Sequence, residues 1–181
     1  MNSFVKKLLY IILFAGIYFL LERFALINTA FDNVQFCYAQ PVANCVSVIL
    51  GPFVGSFAAA IGEFFVTHFQ NTPNDWIAVA CAFLSTGAVG LSMKDVDIKN
   101  GFFQRSDVLR FNAAHTLATF VCWVILYPRL SALLMHKELH QAFIHGVGQA
   151  IGMWVTNFVV GTLLLTLYAK SRISAANFYR S

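Results

Sequence analysis

Charge is what this chain has least of. Only 11% of its 181 residues are Asp, Glu, Lys or Arg, where a water-soluble domain carries about 25%. With 59% hydrophobic residues and a mean hydropathy of +0.69, one aqueous core would leave apolar surface uncovered, so a bilayer is the expected solvent. Cysteine is scarce as well. Cys37, Cys45, Cys81 and Cys122 form no CxxC pair, and no histidine stands at zinc-like spacing, which argues against a metal centre or dithiol. H-E-x-x-H, G-x-S-x-G and the P-loop are missing, so the sequence reads as no enzyme and offers no ATP site. The net charge of +4 is spread between apolar segments rather than along one face, which speaks against nucleic acid. Repeats and low-complexity tracts are absent, and the length suits one transmembrane domain over 1–181.

Apolar runs occupy about 8–26, 41–69, 76–93, 108–127 and 142–169, separated by polar breaks at 28–40, 70–75, 94–107 and 129–141. Each is long enough to cross hydrocarbon at about 1.5 Å per residue. The first lacks a small-residue cleavage site and is expected to stay as a helix. Nine of the twelve basic residues fall before the first run, in or just after the long central break (Arg110 being the one just after), or after the last run, and are expected on the cytoplasmic side. Five crossings cannot satisfy that distribution. Gly51-Pro52 interrupts 41–69 where a helix readily breaks, giving a short helix over 41–51 and a longer one over 53–69. The expected fold is an all-α integral membrane protein, a six-helix transmembrane bundle with both termini cytoplasmic.

Two faces stand out. Gly55, Ala59 and Gly62 recur at i, i+4 and i+7, a small-residue stripe suited either to close packing within the bundle or to docking another membrane subunit. The second face is polar. Asn112, His115, Thr119 and Trp123 share one helical stripe, as do His145, Gln149, Gly152 and Thr156. The orientation brings Trp123, Thr119, His145 and Gln149 toward the outer side, with Glu63, His68, Asn44 and Trp76 at similar depth and Gln35, Tyr38 and Gln40 in the first outer loop. This is how an outward-opening pocket is built. The alternatives are interfacial anchoring for the tryptophans, plain interhelical hydrogen bonding for the amides, and structural pairing of Glu63 with His68 or His145. A carboxylate inside a span is costly and points to function.

The stretches Val34-Gln35-Phe36-Cys37-Tyr38, Leu50-Gly51-Pro52-Phe53-Val54-Gly55 and Ala60-Ile61-Gly62-Glu63 resemble the S components of energy-coupling factor (ECF) vitamin transporters. Asp107-Val108-Leu109-Arg110-Phe111-Asn112, Gly161-Thr162-Leu163-Leu164-Leu165 and Tyr168-Ala169-Lys170 look like an uncharacterised branch of them. The resemblance implies a substrate-binding subunit in the bacterial cell membrane, holding a vitamin-like or nucleoside- or base-like molecule near the outer surface under the first long loop. It further implies a transmembrane coupling subunit and two ATPase partners that hydrolyse the ATP, with no cofactor in this chain. Expected substrate-binding residues are Gln35, Tyr38, Asn44, Glu63, His115, Thr119, Trp123, His145 and Gln149. Expected docking residues are Ala15, Gly16, Gly55, Ala59 and Gly62. The chain departs from the family in lacking two alanines four apart in the first helix. Glu63, His115 and His145 also replace the His and Gln residues that the branch tends to carry, so a substrate is not carried over. A self-sufficient channel or secondary carrier, and a membrane enzyme or assembly factor, remain as alternatives.

Overall fold

Buried residues on the first helix, α1 (Ser3–Phe24), are Ile11, Ala15, Tyr18 and Glu22, a stripe one helical face wide. That stripe lies on α3, while Phe4, Leu8, Ile12 and Leu20 stay exposed, as expected of side chains that meet lipid tails. The computed structural model describes residues 3–30, 34–69 and 75–178, with side chains to 173. Residues 70–74, part of an expected polar break, and Arg180, one of the expected cytoplasmic cations, lie outside the described residues.

After α1, strands β1 (Ile27–Asn28) and β2 (Gln35–Phe36) pair antiparallel, and the Gln35 amide donates to Asn28 Oδ1 at 3.0 Å. Next come α2 (Ala39–Leu50) and α3 (Pro52–Phe69). Gly51 between them has φ 107°, a conformation that only glycine adopts without strain, and Pro52 sits where a helix start needs no N–H. The break expected at Gly51-Pro52 is present. Helix α4 (Trp76–Ser92) begins with the Asp75 carboxylate accepting the Ala78 amide at 3.0 Å, a side-chain N-cap.

The second half departs from expectation. Helix α5 (Arg105–Thr119) starts from a capping box in which Gln104 N donates to Asp107 Oδ2 at 2.8 Å. It does not end near 127. A π-helical segment, Phe120–Leu126, carries it into α6 (Tyr127–Met135), so the expected polar break at 129–141 shrinks to the few residues around His136. The wider turn next to Pro128 accommodates the proline's missing N–H. Helix α7 (Leu139–Thr156) likewise passes through a π segment, Asn157–Gly161, into α8 (Thr162–Phe178). Four described helical stretches are long and apolar enough to cross a membrane, and Ala39–Leu50 and Trp76–Ser92 are shorter apolar helices.

The small-residue stripe is used inside the bundle. Ala15 and Ala59 are buried. A Cβ on Gly62 would stand 2.6 Å from the Tyr18 ring, and one on Gly55 would run into the Ser47 backbone. These four close α1, α2 and α3 on one another. Gly16 is exposed with open space beside it.

Candidate functional site

Where α1, α3, the start of α4, the Phe120–Leu126 segment and α7 converge, they enclose a cavity of about 720 Å³. Its wall is aromatic. Trp123 and Tyr127 stand one π-helical step apart with ring centroids 5.4 Å from each other, and the His145 ring follows Tyr127 at 5.5 Å. Their placement depends on close backbone approach. A side chain at Gly146 would strike the Trp123 carbonyl, and one at Gly152 would strike the Gln35 carbonyl. Both glycines thus set how near α7 comes to the aromatic wall and to β2.

Two carboxylates from membrane helices reach the lining. Glu22 and Glu63 line the cavity yet are each only 8% exposed. Tyr18 donates its hydroxyl proton to Glu63 Oε2 at 3.0 Å, and the Cys37 thiol donates to Glu22 Oε2. Glu63 therefore pairs with a tyrosine from α1, not with either histidine considered from the sequence. At the rim, Lys137 Nζ meets Asp75 Oδ2 at 2.6 Å, the Tyr127 hydroxyl donates to the same oxygen at 2.9 Å, and the ammonium lies 5.6 Å from the Tyr127 ring centroid. Burial alone would raise the Asp75 pKa, but Lys137, the Ala78 amide and the Tyr127 hydroxyl outweigh it and hold the carboxyl below its ordinary range.

Of the expected binding residues, Gln35, Glu63, Trp123, His145 and Gln149 line this cavity. Asn44, His115 and Thr119 do not. They form a fully buried network instead. Asn44 Nδ2 donates to Asn157 Oδ1 and meets His115 Nδ1, both at 2.9 Å, and Gln40 Nε2 donates to Thr86 Oγ1 at 2.9 Å and to Asn44 Oδ1 at 3.3 Å. His115 Nε2 faces the Met153 carbonyl at 3.2 Å. A carbonyl only accepts, so Nε2 carries the proton and Nδ1 accepts from Asn44. The network runs on through Asn157 to Asn112 at 3.1 Å and Thr162 at 2.9 Å. Tyr38 is half-buried beside the start of α2 and is not part of the cavity lining. His68 and Trp76 lie outside it as well, each packed on Phe64.

Sequence reasoning missed Glu22, Asp75, Tyr127 and Lys137. Glu22 carried a signal, since it is a lone carboxylate at the end of an apolar run. Asp75 and Lys137 looked like ordinary loop charges. Trp123 adds one more feature: its indole N–H is buried without a hydrogen-bond partner among the described residues.

The sequence model of the ECF-type riboflavin transporter S component family matches residues 2–170. The chain belongs to this family. It is a transporter's substrate-binding subunit rather than an enzyme, and it works within an ECF complex. A UPF0397 protein of Staphylococcus aureus strain MRSA252 is 27% identical over 169 residues, 93% of this chain and 92% of its own. Its counterpart in strain JH9 is 26% identical over the same shares. Among solved structures, one described as "Structure and mechanism of the S component of a bacterial ECF transporter" superposes with a TM-score of 0.56 at 18% identity. It covers 99% of this chain and 100% of its own. At that identity the likeness speaks for the fold.

Proposed function

We propose that the chain captures a ring-containing, vitamin-like or nucleoside- or base-like solute from outside the cell in the cavity beneath the β1–β2 pair, and delivers it inward. The observation that carries this reading is the cavity itself: about 720 Å³, within the usual range for small-molecule sites, with aromatic and aliphatic side chains set among convergent polar groups. In this reading Trp123 and Tyr127 stack on the ring, Gln149, Gln35 and His145 hydrogen-bond its edges, and Glu63 accepts from a donor. The bundle crosses the plasma membrane six times with both termini inside, an assignment supported by the distribution of Lys and Arg. A coupling subunit and two ATPases supply the energy, and this chain needs no cofactor.

Native mass spectrometry of the gently purified protein tests the reading by identifying any retained solute. Riboflavin, the compound in the family's description, is the first to add back, with its fluorescence as readout. Glu63→Ala and Gln149→Ala should each weaken retention of the solute. Unchanged affinity in both variants would place the binding site elsewhere.

A further inference from the structure

The cavity is lopsided in charge, against the grain of a chain whose net charge is +4. Its lining includes Glu22, Glu63, Asp75 and Glu138 but a single ammonium, that of Lys137. Lys137 is spent on Asp75. Among the described residues, Glu22, Glu63 and Glu138 have no ion-pair partner. Glu22 and Glu63 sit on membrane-embedded helices, where an uncompensated carboxylate is costly. Each has one oxygen occupied, Glu63 Oε2 by Tyr18 and Glu22 Oε2 by Cys37, which leaves the other oxygen of each without a donor among the described residues.

We propose that the cavity selects a ring-bearing organic cation, its positive group facing the Glu22 and Glu63 carboxylates and its ring against Trp123 and Tyr127. Three features point the same way. The two buried carboxylates lack a counter-charge. The aromatic pair offers faces that attract cations as well as rings. Glu138 is exposed at the rim, where a like-signed charge concentrates cations at the mouth. The proposal rests on the cavity being the substrate site and adds the charge of what enters it.

The test uses the full chain in lipid nanodiscs and three probes of similar shape: benzylammonium, neutral benzyl alcohol and anionic benzoate, titrated to millimolar concentration by calorimetry. Benzylammonium should bind on the order of tenfold tighter than benzyl alcohol, with benzoate weakest. Glu22→Gln and Glu63→Gln, which keep shape and remove charge, should bring that ratio toward one. Equal affinities of cation and alcohol in the unaltered protein, or no binding by any probe, would overturn the proposal without recourse to a variant. So would a cation preference that survives both glutamine substitutions. If the affinities are equal, or the preference survives, and Trp123→Ala weakens binding, the cavity remains the site and only its charge selectivity is wrong. If Trp123→Ala and Gln149→Ala change nothing for any probe, the site assignment itself fails.

Discussion

Lys137, from the turn between α6 and α7, reaches Asp75 at the head of α4, 2.6 Å from nitrogen to oxygen. That contact ties two of the segments around the cavity together, and Tyr127 shares the same carboxylate oxygen.

Lys137→Ala should lower stability by about 1 kcal/mol, since a half-exposed ammonium is screened by solvent and contributes near the upper end of a surface pair. Thermal unfolding in detergent reads this out. The Asp75 pKa is depressed in the folded protein, so the pair's contribution is complete above the ordinary carboxylate pKa of about 4. It is lost as pH falls through the lower folded value. Between pH 5 and 8 the variant's deficit should therefore be constant, and it should shrink only at more acidic pH.

Gly146→Ala should cost about 1–3 kcal/mol, because the added methyl meets the Trp123 carbonyl rather than a movable side chain. It should also weaken solute binding by displacing the aromatic wall. Gly16→Ala, with open space at its Cβ position, should leave the melting temperature unchanged or slightly raised. A comparable loss in both variants would refute the packing argument.

Asn44→Ala should lower stability by about 2 kcal/mol, since it strands Asn157 Oδ1 without its donor and leaves His115 Nδ1 only the longer Thr119 hydroxyl contact at 3.3 Å, in a fully buried setting. Its solute affinity should change less than that of Glu63→Ala, because Asn44 does not line the cavity. The reverse order of effects, measured by calorimetry on the folded variants, would return Asn44 to the binding site.

Gly51→Ala should destabilise by at least about 1 kcal/mol, the minimum expected for a β-carbon at φ 107°. The melting temperature of the purified variant is the measure, and an unshifted value would mean the α2–α3 junction relaxes freely.

Several of these features were legible in the sequence because their causes are local. Gly51-Pro52 breaks the second apolar run wherever it is placed, since glycine alone takes the backbone angle and proline suits a helix start. Glu63 was legible because a carboxylate in an apolar run is conspicuous. The π segments were not legible. Nothing in Phe120–Leu126 or Asn157–Gly161 marks an extra residue per turn, yet that turn governs which way Trp123 faces relative to His115 and Thr119. The stripe drawn at regular spacing therefore splits, with Trp123 at the cavity and the other two in the network beneath it. Glu22, Asp75 and Lys137 come together across long stretches of chain, and no local pattern announces such pairs.

By itself the sequence determined the solvent and the segmentation, because transfer of apolar side chains out of water depends on composition and run length. It also carried the family resemblance. Tertiary structure alone decided which polar groups share a cavity and which satisfy one another. In lipid every buried donor and acceptor must find a partner within the protein, and the partner is whatever the packing brings near. Asn44 and His115 found each other, Glu63 found Tyr18, and among the described residues the Trp123 indole N–H and one oxygen of each buried glutamate were left without partners.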